Sequence, residues 1–330
     1  MNGRPYLAFL ILPMIVAGCS DNSQSALIPA GLEARQIANL TWILFVFCAL
    51  VFLIVVTAIL AAIYGSTGLR SALASRRTII SLGLIFPAAT LLALFVYSVW
   101  FTNRLLEVTD DPNQAVVKVT GEQWWWRVSY TTSAGAVFES ANEIHIPVGR
   151  PVVFELNSAD VIHSFWVPSL GGKLDMIPGR TTRLRLTAER AGTYRGQCAE
   201  YCGGPHALMA FTVTAKAPQE YADWLDRQST PARAPATDQQ QSGATLFAAA
   251  GCGACHTIEG TSARGRIGPN LTHLASRQSV GIDQNRLSHD GIVRFLTDGQ
   301  TIKPRNHMPE FGFLRQHERD AIAAYLLSLK

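Results

Sequence analysis

Cys198-Ala199-Glu200-Tyr201-Cys202-Gly203-Gly204-Pro205-His206-Ala207-Leu208-Met209 gathers two thiols, an imidazole and a thioether into one short run. Such a soft, sulfur-rich ligand set selects copper or zinc rather than hard cations. His163, in Asp160-Val161-Ile162-His163-Ser164, comes earlier in the chain. The chain around both runs reads as β structure. Strand-like runs at 116–119, 143–146, 152–156, 182–186 and 210–213 are separated by Gly and Pro. That pattern, over residues 104–216, predicts a sandwich or barrel whose end loops could bring His163 beside the cysteines. Three readings of the metal follow. A zinc tetrahedron of His163, Cys198, Cys202 and His206 leaves Met209 unused. A mononuclear blue copper leaves one cysteine idle. Two coppers bridged by both thiolates use every donor, each copper keeping one histidine, with Met209 and a main-chain carbonyl completing the pair.

A second motif stands near the chain's end, at Cys252-Gly253-Ala254-Cys255-His256. Two thiols three positions apart share one face of a helical turn, and the adjacent histidine can turn to an iron. That is the pattern for covalent haem c, with His256 as proximal ligand. A thioredoxin-like pair lacks its βαβ setting, and a zinc site lacks a second ligand pair. Met308, in Asn306-His307-Met308-Pro309, is the one methionine after the motif and the expected second axial ligand. His273, His289, His307 and His317 are its rivals. Gly268-Pro269-Asn270-Leu271 would supply the proline carbonyl that accepts from the other nitrogen of His256.

Before both motifs the chain is apolar. It is 48% hydrophobic over 330 residues, and the apolar residues are densest before residue 102. Arg4, the apolar run 7–17 and Val16-Ala17-Gly18-Cys19 resemble a lipoprotein export signal, with cleavage after residue 18 and a lipid on Cys19. Residues 40–63 and 79–101 contain no ionisable side chain and are long enough to span a bilayer. Pro87 in the second would need a neighbouring helix to satisfy the carbonyl it frees. The loop between carries Arg70, Arg76 and Arg77 and no acid, so it faces the cytoplasm and all after residue 102 lies outside. Lys216 to Arg227 reads as a short helix, and Ser229 to Ser242 as a flexible linker. A net charge of +4 without a lysine cluster argues against nucleic acid.

Residues 158–209 resemble the dinuclear copper A site of cytochrome c oxidase subunit II. The motifs stand in the family's order: hairpin anchor, Gly121-Glu122-Gln123-Trp124-Trp125-Trp126, the His163 run, Lys173-Leu174-Asp175-Met176-Ile177-Pro178-Gly179-Arg180, then the cysteine run. Residues 241–330 resemble a class I cytochrome c, and the combination is similar to subunit II of caa3-type oxidases. The resemblance implies a multidomain membrane protein in five parts: signal peptide 1–18; lipidated Cys19 and a two-helix transmembrane hairpin within 19–102; an all-β cupredoxin barrel carrying copper A at 103–216; short helix and linker at 217–242; and an all-α class I cytochrome c domain at 243–330.

It further implies copper A held by His163, Cys198, Cys202, His206, Met209 and the main-chain carbonyl of Glu200. The Glu200 side chain would meet a magnesium ion shared with subunit I, with Asp175 close by. Haem c would be bound through Cys252 and Cys255, with His256 and Met308 axial. Trp124 would be the point where electrons enter the copper site, although a tethered haem domain could dock elsewhere. Neither site offers a place to reduce oxygen, so the expected role is a relay in a terminal oxidase. An external donor (a cytochrome c or a quinol:cytochrome c complex) would feed it. Subunit I would reduce oxygen to water and pump protons, with subunit III alongside. The setting would be the bacterial plasma membrane, metal domains on the periplasmic or extracellular side. The alternative is the corresponding subunit of a copper A-containing nitric oxide reductase. One departure from the family is that residues 64–81 hold no acid near a proton-uptake route.

Overall fold

A computed structural model describes residues 24–106, 114–132 and 135–330. The export signal and Cys19 lie outside the described residues. Two units are resolved, the first joining residues up to Ala34 with those from Asp110 onward, the second running from Arg35 to Thr109.

The second unit is helical. Helix α1 (Leu32–Tyr64) is followed by α2 (Thr67–Leu73) and α3 (Arg76–Ile80), then by a π-helical turn (Ser81–Ile85) and α4 (Phe86–Leu106). Ser66 and Ser75 cap α2 and α3 by accepting from Leu69 and Thr78, which ends α1 and restarts the chain where the basic residues cluster. Two segments, Leu32–Tyr64 and Arg76–Arg104, are long and apolar enough to cross a membrane, and their apolar side chains are exposed. In lipid those faces need no protein partner. Pro87 is the second residue of α4. The π turn just before it carries a five-residue bond, Phe86 N–H donating to the Ser81 carbonyl.

The first unit begins with a sandwich of ten strands: β1 (Ala115–Glu122), β2 (Trp125–Thr131), β3 (Val137–Ala141), β4 (Glu143–Pro147), β5 (Val152–Ser158), β6 (His163–Trp166), β7 (Leu174–Met176), β8 (Thr182–Leu186), β9 (Gly192–Cys198) and β10 (Ala210–Lys216). One sheet runs β3-β2-β1-β5-β8, the other β4-β10-β9-β6-β7. Pairing is antiparallel except β1 with β5 and β10 with β4. The period-two alternation of β1 and β2 sends Val117, Val119, Trp126, Val128 and Tyr130 into the core between sheets. Helix α5 (Pro218–Gln228) closes one end, its Trp224 stacked on His145 with centroids 4.2 Å apart.

The remaining chain builds its regular structure chiefly from helices: α6 (Asp238–Ala249), the short hairpin β11 (Ser279–Val280) and β12 (Ile282–Arg286), α7 (His289–Thr297), α8 (Gly299–Ile302) and α9 (Gln316–Leu326). Helices α6 and α9 cross at Gly243, where a Cβ would stand 2.0 Å from the Ala321 carbonyl oxygen. Only glycine allows that approach. The stretch expected as a flexible linker is shorter and tied down. Thr237 caps α6 with a reciprocal Gln240 bond, so the helix starts at Asp238. Upstream, Ala232 N–H donates to the Glu259 carbonyl.

Candidate metal centre and haem cavity

Strand pairing decides where the donors meet. His163 opens β6 and Cys198 closes β9; the two strands are antiparallel neighbours, with Phe165 opposite Cys198. The end of the sandwich therefore places an imidazole beside a loop of two thiols. The His163 Nδ1 lies 3.8 Å from Cys198 Sγ, and the two sulfurs are 3.8 Å apart. Cys202 Sγ is 3.4 Å from His206 Nδ1 and 3.7 Å from Met209 Sδ, while Cys198 Sγ is 3.2 Å from the Glu200 carbonyl oxygen. All six expected donors are thus gathered. Of these, His163, Cys198 and Cys202 form a buried triad whose ligand atoms lie within 4.8 Å of one another.

Tryptophans hold this loop from below. Trp124 Nε1–H and the Gln123 carboxamide both donate to the Cys202 carbonyl, at 2.9 and 2.8 Å. Trp126 Nε1–H donates to the Met209 carbonyl at 3.3 Å. Trp125 faces the other way, under the Arg127 guanidinium at 4.7 Å, as alternation requires. His163 Nε2 is 2.8 Å from Asp160 Oδ1, which fixes the ring with Nδ1 toward the sulfurs. Asp160 was not among the expected site residues, yet its place three residues before His163 was the legible signal.

The electrostatics favour a bound cation. The Cys198 thiol is pulled well below the usual thiol range by its bond with Cys202, against the pull of burial and with help from His163. Cys202 is pushed up by the same bond and by burial. Only one of two adjacent sulfurs ionises easily without a metal. Burial works against a charged His163, but its bonds to Cys198 and Asp160 leave its pKa raised. Two thiolates, two imidazoles, a thioether and a carbonyl fit copper, and Met209 beside Cys202 is a donor that the zinc reading leaves over. Outside this cluster, Ser164 Oγ donates to Asp175 at 2.7 Å. Lys173 stands 3.3 Å from Asp175 and 4.0 Å from a Glu200 carboxylate oxygen.

The second site is a cavity of about 490 Å³. Cys252, Cys255, His256 and Met308 all line it, although the first and the last are 56 positions apart. His256 Nδ1–H donates to the Pro269 carbonyl at 2.7 Å, leaving the Nε2 lone pair free to ligate a metal. Burial lowers the pKa of His256, partly opposed by that carbonyl, which keeps the imidazole neutral as a ligand must be. At Gly268 a Cβ would sit 2.5 Å from His256 Cε1. These features and the apolar wall of Leu271, Leu274, Ile292, Phe295 and Leu296 fit a haem. Of the rival histidines, His273 is buried and bonded to the Thr230 carbonyl, and His289 pairs with Asp290 and Asp320. His317 is not among the cavity's lining residues. His307 lines the cavity, but its ring lies against Trp124, centroids 5.8 Å apart.

Trp124 and Trp125 line that same cavity. Further ties join its domain to the sandwich: Arg127 donates to the Arg266 carbonyl at 2.7 Å, Arg195 pairs with Asp283 at 3.0 Å, and Gln278 N–H donates to Glu143 at 2.5 Å. Two adjoining carrier-type sites, in a chain that also holds two membrane-length helices, define the class of a membrane-bound electron-transfer protein.

Comparison with known proteins narrows that class. The family of the cytochrome c oxidase subunit II periplasmic domain matches residues 131–216, and the cytochrome c family matches 240–330. Cytochrome c oxidase subunit 2 of Alkalihalophilus pseudofirmus is 31% identical over 98% of this chain and 96% of its own. That of Bacillus subtilis is 27% identical over 99% and 98%. A crystal structure of the periplasmic domain of subunit II of cytochrome oxidase of Bradyrhizobium japonicum is 31% identical, covers 37% of this chain and 96% of its own, and has a TM-score of 0.34. This chain belongs to the cytochrome c oxidase subunit 2 family, in a form with a fused cytochrome c domain. It is a membrane protein with two candidate spans; its cytochrome c domain implies haem c and its subunit II domain implies copper.

Proposed function

We propose that this chain is the subunit through which electrons enter a haem-copper terminal oxidase. It receives them from an external donor, a cytochrome c or a quinol:cytochrome c complex, and delivers them to subunit I. There oxygen is reduced to water with proton pumping, and subunit III belongs to the same assembly. Bound in their sites, haem c and a dinuclear copper A supply one-electron carriers. Cys252 and Cys255 would hold the haem covalently, and His256 and Met308 would ligate its iron. His163, Cys198, Cys202, His206, Met209 and the Glu200 carbonyl hold the coppers. The Glu200 carboxylate, with Asp175 nearby, faces a magnesium ion completed by subunit I, for which Lys173 is the present counter-charge. The metal domains lie on the periplasmic or extracellular side of the plasma membrane, behind a processed, lipidated Cys19. The domain boundaries at 103, 217 and 243 belong to the same reading.

The observation that carries it is Trp124, which belongs to both sites at once. Its indole donates to the copper-loop carbonyl of Cys202, and its ring lines the cavity that holds His256. That contact supports Trp124 as the point where electrons pass to the copper, and supports docking of the haem domain at that spot. Nothing in the chain or its relatives favours the nitric oxide reductase alternative. The test is metal analysis and low-temperature EPR of the full chain, purified in detergent after haem maturation and copper loading. The expected result is one covalent haem and two coppers sharing one unpaired electron, read as a seven-line hyperfine pattern. A four-line pattern from a single copper, or zinc in its place, would remove the dinuclear assignment.

A further inference from the structure

Lys303 follows the short helix α8 and is 5% exposed. Its Nζ donates to the Gly281 carbonyl at 3.0 Å, and an ammonium has three protons to place. Among the described residues no carboxylate pairs with it. The other buried cation of this wall is treated differently. Arg277 donates to the Asn270 carbonyl and is answered by the charge of Glu143. Burial, opposed by nothing, pushes the Lys303 ammonium down to about 8. An unanswered buried charge is costly, and such a group either meets a counter-charge or gives up its proton.

Lys303 also lines the cavity that contains Cys252, Cys255 and His256, and Gly281, which takes its one bond, lines it too. The same cavity is apolar along Leu271, Ile292, Phe295 and Phe311. A haem matches that division, being an apolar macrocycle with two carboxylates on one edge. We propose that Lys303 is the cation that anchors a haem propionate in this domain, through a charge-assisted hydrogen bond from Nζ. The assignment rests on the haem reading above and adds a positioning residue to it. Its effect is on the iron: an ammonium beside the propionate offsets a negative charge that otherwise favours the ferric state.

The test compares Lys303→Met and Lys303→Arg with the unaltered full chain, haem-loaded and in detergent, by potentiometric titration of the haem bands. The Met variant is expected to shift the haem's redox equilibrium about tenfold toward the oxidised form, about 59 mV for one electron. The Arg variant should restore it to within about threefold, since it keeps the charge. A buried lysine with a purely structural role would show the reverse: Met would leave the potential unchanged and raise the melting temperature. That result overturns the proposal while the covalent haem leaves the parent reading intact. If the Met variant does not accumulate, Lys303→Gln is read by the same criterion. Absence of covalent haem from the unaltered chain would instead fell the parent reading, and this one with it.

Discussion

The copper loop and the haem cavity are built on opposite plans. In the copper loop, five of the six donors fall between Cys198 and Met209, and the protein's own hydrogen bonds already hold them. Trp124, Gln123 and Trp126 fix two carbonyls of the loop, Asp160 fixes His163, and the core beneath is closed. In the haem domain the two axial candidates are far apart in sequence, on segments that meet around a cavity of about 490 Å³. One site is shaped by a finished fold, whereas the other is part of the core that its ligand would complete. A metal held at a rim can be removed from a standing structure; a group lining a core cannot.

Breaking the haem side should therefore have the larger effect. Cys252→Ser combined with Cys255→Ser is expected to abolish covalent haem and destabilise residues 243–330 by more than about 4 kcal/mol. Limited proteolysis should cut that domain first, while the copper content of the sandwich stays at its original value. Equal protection of the two domains would show that the haem domain is as self-sufficient as the copper loop.

Acid should reverse the ranking. His145 lies under Trp224, and its Nδ1 is buried without a partner. Burial, with a smaller push from Lys216, lowers its pKa from 6.5 to about 3. The unfolded chain therefore binds a proton that the folded sandwich refuses between those two values. The stability this gives is full above about pH 6.5 and is lost as pH falls toward 3, by at most about 5 kcal/mol. Thermal unfolding of the copper domain followed from pH 7 to 4 should show the loss, and His145→Phe should flatten it. An unchanged slope in that variant would assign the acid sensitivity elsewhere.

The smallest effect sharpens the comparison within the copper site. Asp160→Asn keeps the shape but weakens the acceptor that orients His163, so copper affinity should fall about 10- to 100-fold. Copper titration reads this directly, and the haem bands should not move. An unaltered affinity would mean that the strand pairing alone orients the ring.

Local spacing made much of this legible. The donors of the copper loop and the CxxCH run are neighbours in sequence, so the distances between them are limited by a few bonds. Uncharged runs of bilayer length exposed the membrane segments, and alternation correctly assigned the opposed faces of Trp125 and Trp126. What escaped was whatever depends on two distant segments meeting. The helix beginning at Asp238 depends on the Thr237–Gln240 cap, and the stretch before it is held by Glu259. The π turn at Ser81–Ile85 is a backbone adjustment that side-chain pattern does not report.

The sequence by itself determined the chemistry of the two sites, because residue type and short spacing set which ligands can converge. Only the tertiary structure decided how those sites face one another. The contact of Trp124 with His307 and the reach of Glu143 to Gln278 across 135 positions follow from two domains packing, and the burial of Lys303 with one carbonyl partner from distant segments meeting within the haem domain. Such contacts depend on closing long loops, where residue type gives no register, and the balance of packing and desolvation selects the partners.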